Sequence, residues 1–200
     1  PLMTLLAGAL KLWIRSRCDR LGSLDLTLHG SAFTLMRGRL EGVTLKARDV
    51  GFKGLPLQHV QLRSGPITVD VNVLSPEQML ALQHPFQVEG DVSISGGALN
   101  DALLAEPWRW LGDWLAEQLM GLTTLRALNI QNDEMALQSS VVAHRDPVSR
   151  CFSIDASGNT LRFRSQDSAD DASILLPMDP GIKITDASLQ GGQLHIQGCA

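Results

Sequence analysis

From Val43 to Val73 apolar residues return at almost every second position. Val43, Leu45 and Ala47 share one parity, Val50 and Phe52 take the other, and Leu55 and Leu57 return to the first. Val60 and Leu62 leave it again, and Ile67, Val69, Val71 and Val73 close the run. A period of two puts one side-chain set on each face of a strand, so this segment reads as half-buried antiparallel strands. "LDLTLHG" (24–30) and "FQVEGDVSIS" (86–95) alternate in the same way. In the second, Phe86, Val88, Val92 and Ile94 oppose Gln87, Glu89, Asp91 and Ser93. The parity slip between Ala47 and Val50 predicts a β-bulge. "GLP" and "RSGP" supply turns.

Two stretches break the pattern. In residues 2–17, Leu2, Leu5, Leu6, Ala9, Leu10, Trp13 and Ile14 follow helical spacing, with Arg15, Arg17 and Arg20 crowding the C-terminal end. Such a stripe packs on a sheet or lies on a membrane surface. It is too short to span a bilayer, which needs about 20 apolar residues. "GGALNDALLAEPWRWLGDWLAEQLMG" (96–121) reads as helix broken at Pro107 and ended at Gly121. Beyond it, strands are expected at 125–130, 135–142, 151–156, 160–164, 172–176, 182–189 and 193–196. The tail "ITDASLQGGQLHIQG" echoes "LKARDVGFKGLPLQHVQLRSG" as strand, parity slip beside an Asp, turn, strand. "LRALNIQNDEMALQSS" is a weaker third case, which suggests a repeated hairpin.

Chemistry is sparse. The sequence has no GxSxG, GxxxxGK[ST], GxGxxG or HExxH motif. The five histidines (His29, His59, His84, His144, His195) stand far apart, without metal-ligand spacing. The acidic run Asp167, Asp170, Asp171 lacks the glycine and terminal glutamate of a calcium loop and reads as a solvated loop. Three cysteines without CxxC spacing argue against a disulfide framework and for a reducing compartment. Charge is uneven. Residues 1–63 hold ten Lys/Arg against four Asp/Glu, a balance of +6, and residues 64–200 hold seven against seventeen, −10. A basic third suits anionic lipid headgroups. Nucleic acid fits less well, since no basic cluster carries interleaved aromatics. The chain opens on Pro1 with no visible secretory leader, so a peripheral-membrane or cytoplasmic protein is expected, with a trimmed N-terminus left open.

The run "GRLEGVTLKARDVGFKGLPLQHVQLRSGPITVDV", followed by "HPFQVEGDVSISGGALNDAL", resembles the LmeA-like phospholipid-binding family of bacteria. The matching stretches are Gly42 to Leu55, Pro85 to Ser95 and Leu99-Asn100, with "LQGGQLHIQG" resembling the family's ending. The likeness is good over residues 2–104, moderate over the last fifteen, and slight over 123–180. It implies a fold related to tubular lipid-binding proteins, a hydrophobic interior that takes phospholipid, and no enzymatic activity. Its motifs are turn and strand residues, so it carries over no catalytic residue and no individual ligand contact.

The expectation is therefore a single α+β domain over residues 1–200. In it a long, curved, bulged antiparallel sheet wraps an N-terminal and a central helix. Val43, Leu45, Val50, Phe52, Leu57, Val60, Leu62, Ile67, Val69 and Val71 are the candidate lipid-facing residues. Trp108, Trp110 and Trp114, with Lys11, Arg15, Arg17 and Arg20, are the candidates for membrane docking, Trp110 and Trp114 being expected to stand partly exposed. No cofactor, metal or nucleic acid is expected; the partners are phospholipid or another acyl lipid and a membrane surface. The competing reading is a scaffolding domain with a filled core that docks a protein through the tryptophan helix.

Overall fold

The computed structural model describes residues 2–69, 85–167 and 172–200. The elements are α1 (Leu2–Arg17), β1 (Arg20–His29), α2 (Ala32–Met36), β2 (Arg39–Leu40), β3 (Gly42–Phe52), β4 (Leu55–Ser64), β5 (Ile67–Thr68) and β6 (Val88–Ser95). Then come α3 (Gly96–Leu103), α4 (Arg109–Met120), β7 (Leu125–Gln131), β8 (Glu134–Ser139), β9 (Val148–Ser157), β10 (Thr160–Ser165), β11 (Ser173–Leu175), β12 (Lys183–Gln190) and β13 (Gln193–Cys199). The class is α+β with antiparallel sheets, as expected, but the strands divide between two large sheets. The first has six strands in the order β1-β3-β4-β6-β13-β12 and the second five, β11-β10-β9-β8-β7. β2 and β5 form a separate two-stranded ribbon.

Hairpin turns set the register. Four connections are two-residue loops in which both residues have positive φ: Lys53-Gly54, Asn132-Asp133, Gly158-Asn159 and Gly191-Gly192. That conformation matches the twist of the flanking strands and favours Gly, Asn and Asp. Three of the four join the segments whose sequences echo one another, so the repeat is a repeated tight hairpin. The "GLP" turn sits one residue earlier than expected: Lys53-Gly54 make the turn, and Leu55 and Pro56 already pair with Phe52 and Gly51.

The parity slip of β3 has a different cause from the bulge expected there. Pairing stays in register on both sides, Arg48 with His59 and Val50 with Leu57. Asp49 instead takes φ 52°, opposite Gly22, where a Cβ would stand 2.9 Å from Asp49 Cβ. The slip is shared across three strands, Leu24 to Leu21, Ala47 to Val50 and Val60 to Leu57, so the apolar face continues past it. Register shifts do occur in β12, between Ile184 and Asp186, and in β7, between Leu125 and Ala127.

The helices divide the cover between them. α1 buries Leu6 and Leu10 with Leu35, Leu40, Ile67 and Val69, and packs Ile14 against Leu24, Ala47 and Val50. The five-residue α2 was missed by the alternation; Ser31 and Thr34 form a capping box at its start. Pro107 does separate two helices, from within a turn that it enters through a cis bond. Gly121, at φ 67°, closes α4. α3 packs on β7 and on β4 and β6 of the first sheet, α4 on β7, β8 and β11, and β12 lies against β9 and β10. In the core so formed Leu103, Leu125, Met135, Leu137 and Phe152 are almost wholly inaccessible. α3 is fixed to β7 by Asn100 Oδ1, which accepts the Leu128 N–H at 2.8 Å.

α3 and α4 meet at Gly112, where an added Cβ would lie 2.4 Å from the Leu103 carbonyl oxygen and 3.1 Å from Leu125 Cδ2. Overpacking a filled contact costs roughly 1–3 kcal/mol, so Gly112→Ala should lower stability by about that much, read as a lower urea midpoint. On β9, Asp155 accepts from Arg162 Nε and Nη2 at 2.8 and 2.7 Å and also pairs with Arg164. Those hydrogen bonds hold its carboxyl at about 2 against an ordinary 3.8. A lowered folded-state value stabilises above the unfolded value and is lost as pH falls toward the folded one. Asp155→Asn should therefore flatten the fall in stability between about pH 4 and pH 2, measured by denaturation across that range.

Candidate functional site

Side chains on one face of the six-stranded sheet line up in aliphatic rows. One row is Leu24–Ala47–Val60–Val92–Ile196–Ala187, each residue directly opposite the next. The next is Leu26–Leu45–Leu62–Gly90–Gly198–Ile184. Cover over these rows is uneven. α1 lies on the β1–β3 end, the second sheet lies against β12, and α3 reaches β4 and β6. Between these covers Leu62, Val88 and Val92 are half-buried and, among the described residues, join none of the core clusters. At the paired glycines Gly90 and Gly198 neighbouring side chains close over the row, with Leu62 Cδ2 3.0 Å from where a Gly90 Cβ would be and Ile184 Cδ1 3.4 Å from a Gly198 Cβ.

Chirality fixes which flank of α1 overlooks the strip. Val43 has its side chain on the apolar face, and its N–H reaches Ser64 Oγ at the end of β4 at 2.8 Å. In strands of L-residues this places β3 and β4 to the left of β1 when the apolar face is viewed with β1 running upward. α1 runs antiparallel to β1, since Leu6 and Leu10 share a cluster with Leu26 and Leu28, whereas Ile14 shares one with Leu21 and Leu24. At about 100° per residue, a right-handed helix in that direction turns Leu2, Ala9 and Trp13 toward β4. Lys11 and Arg15 turn toward the free edge of β1. Leu5 and Leu12, each 70% exposed, stand on the outer rim. The stripe expected on α1 thus splits into a buried line (Leu6, Leu10) and an outward line that includes Leu12.

The ten lipid-face candidates divide accordingly. Val43, Leu45, Val60 and Leu62 lie in or beside the aliphatic rows, half-buried. Val50 and Leu57 face each other beyond the Asp49 slip, where Leu57 packs against two clusters. Phe52 departs from the expected face: it sits at the hairpin tip, 40% exposed, with Lys53 Nζ 5.4 Å from its ring centroid. Ile67 and Val69 are core residues of the cluster under α1 and α2. Val71 lies outside the described residues. The alternation in β4 pointed to the strip, and the matching alternation of Val88 and Val92 in β6 completes it. The contribution of α1 could not be read from its own pattern, which does not say how much of it the sheet covers.

Apart from Lys11, the docking candidates gather toward one end of the molecule. Asp19 accepts the Gly54 N–H at 3.1 Å, Arg20 pairs with Gly51, and Trp108 Nε1 donates to the Lys53 carbonyl at 2.7 Å. The β3–β4 hairpin tip therefore joins the end of α1, with Arg15, Arg17 and Arg20 exposed there, to the start of α4. The tryptophans differ in role. Trp108 is tied to the hairpin, Trp114 is half-buried against the core, and Trp110 is 61% exposed, 6.5 Å from Trp108 between ring centroids. Lys11, half-buried, faces away from this end. Cys18, beside the hairpin, has its thiol pushed up by burial and by Asp19.

The opposite face of the same sheet is polar. Its recesses, about 340 and 420 Å³, are lined by residues such as Gln61, Arg63 and Asp91, and His59, Ser93 and His195. Such a lining suits water better than an acyl chain. Among the described residues no group of three metal-ligating side chains comes together. No described helix is long and apolar enough to cross a membrane.

Leu62→Asp with Val92→Asp puts two carboxylates on the open strip, where neither side chain belongs to a core cluster. The pair should abolish binding of a fluorescent acyl probe while leaving the far-UV spectrum unchanged. Val69→Asp, by contrast, should unfold the chain, because Val69 is 5% exposed and an unpaired buried charge costs several kcal/mol.

Compared with known proteins, the chain matches one family model, described as LmeA-like phospholipid-binding, over residues 2–199. No curated protein and no solved structure matches it significantly. The match takes in the β7–β11 region, where the residue-level likeness is slight. The motif residues have structural tasks: Asn100 holds β7, and Ser95 Oγ caps α3 by accepting the Ala98 N–H at 3.2 Å. With nearly its whole length matched, the chain belongs to the LmeA-like phospholipid-binding family.

Proposed function

We propose that the protein binds phospholipid without catalysing a reaction, laying acyl chains along the aliphatic strip between α1 and the second sheet, and that it does so at a membrane surface. The observation that carries this reading is the middle of the apolar face, where Leu62, Val88 and Val92 are half-buried and join no core cluster among the described residues. Each strand contributes about 3.3 Å per residue. A ten-residue strand such as β4 is therefore about as long as one extended acyl chain. The family's description as phospholipid-binding supports the lipid class. The filled-core scaffold reading fits less well, since a scaffold gains nothing from leaving these rows half-covered.

Contact with the bilayer falls to the outer side of α1 and its neighbours. Leu5 and Leu12 on α1, and Phe33 and Met36 on α2 at 60% and 67% exposure, carry apolar surface to the outside. The charged residues of these two helices and their flanks, Lys11, Arg15, Arg17, Arg37 and Arg39, are all basic, the nearest acids being Asp19 and Glu41. Arg37 stacks its guanidinium 4.1 Å from the Phe33 ring centroid, a pairing suited to a wet apolar boundary. Trp110, with Phe52 and Arg20, is a second aromatic and basic group at the hairpin end. A rim that touches the bilayer beside the strip gives acyl chains a short path into it.

Phospholipid should co-purify and appear as a mass adduct in native mass spectrometry; a protein free of lipid and unable to take up added phospholipid contradicts the reading. Basic residues near an anionic surface contribute about 1 kcal/mol each, screened over about 8 Å at physiological salt. Vesicle binding should therefore need anionic lipid, weaken as salt rises, and fall steeply in a Leu5→Asp, Leu12→Asp variant. Equal binding to neutral and anionic vesicles would contradict the proposed contact.

A further inference from the structure

Two indole N–H groups on helix-associated tryptophans meet different fates. Trp108 Nε1 has the Lys53 carbonyl oxygen at 2.7 Å. Trp13 Nε1 is buried and has no hydrogen-bond partner, the one such side-chain polar atom among the described residues. A buried donor without an acceptor loses its hydration and gains nothing in return, so native proteins rarely leave one. The position of this one is informative. Trp13 lies on the flank of α1 that faces β4 and the open strip, between the buried line of Leu6 and Leu10 and the exposed rim of Leu5 and Leu12. The guanidinium carbon of Arg17 stands 5.4 Å from the Trp13 ring centroid, so a cation is close to the orphan donor.

We propose that the missing acceptor arrives with the ligand: Trp13 N–H donates to an oxygen at the polar end of a bound phospholipid, an ester carbonyl or a phosphate oxygen. This rests on the reading that acyl chains lie on the strip, and it adds where the lipid's polar end stops. The chains run along the aliphatic rows, and the glycerol-phosphate end is held at α1 between the indole and Arg17. An ester and a phosphate both supply the oxygen; a diacylglycerol carries the first without the second.

The test is Trp13→Phe, which keeps an aromatic ring and removes the N–H. In lipid-free protein the melting temperature should stay the same or rise, because an unpaired buried donor is gone. Affinity for a fluorescent phosphatidylglycerol should fall about fivefold or more, the worth of one hydrogen bond. Diacylglycerol affinity falling in parallel assigns the ester oxygen, and phosphatidylglycerol alone losing affinity assigns the phosphate; either supports the proposal. Unchanged affinity for both lipids in the variant, with the wild type binding normally, overturns it and leaves the strip reading standing. A wild type that binds neither lipid overturns both.

Discussion

An antiparallel sheet with one aliphatic face has to find cover for it, and among the described residues the first sheet finds most of it from α1 at one margin and from the second sheet at the other. Six strands side by side, at about 4.8 Å each, present an apolar face some 25 Å wide. A helix is about 10 Å across with its side chains, so α1 shields about two strands. The second sheet reaches the other margin, where β12 adjoins β9 and β10. The middle, β4 and β6, is left with half-buried Leu62, Val88 and Val92. Everything distinctive in the molecule follows from that mismatch of widths.

The same mismatch explains the shape of α1. A helix that only packed on a sheet would need one apolar stripe and a polar back. α1 instead carries Leu6 and Leu10 inward, Ala9 and Trp13 sideways with Arg17 over the Trp13 ring, and Leu5 and Leu12 outward, with Lys11 and Arg15 on the remaining flank. Among the described residues the sideways and outward side chains join no core cluster, and the sideways ones turn toward β4. The polar residues of the fold are spent on structure: Asn100 on β7, Ser95 on α3, Asp155 on the arginines of β10.

Much of this was legible beforehand, because period-two alternation states both that a strand exists and which residues share a face. Alternation put Val60 and Leu62 among the lipid-face candidates, whereas Val88 and Val92 were read only as one face of a strand. The hairpin echoes were visible for the same reason, as Gly191-Gly192 and Asn132-Asp133 are residues that tolerate positive φ. What alternation cannot state is cover. It gives Ile67 and Val69 the same signature as Leu62, although a ribbon and two helices bury the first pair. It could not show that Phe52 would fall at a hairpin tip, nor that Asp49 would flip the parity without shifting the register. The separation of the strands into two sheets depends on pairings distant in sequence, and the short α2 lies below the length at which a helical period shows.

The central claim, that acyl chains occupy the strip between α1 and the second sheet, is tested most directly by photo-crosslinking. A phospholipid carrying a diazirine near the end of one acyl chain is bound, irradiated, and the labelled peptides mapped by mass spectrometry. Labels should fall on residues 57–64 of β4 and 88–94 of β6, with α1 as the third site, and should disappear with excess unlabelled lipid. Labels confined to the polar face around His59 and His195, or to α4 alone, would contradict the account.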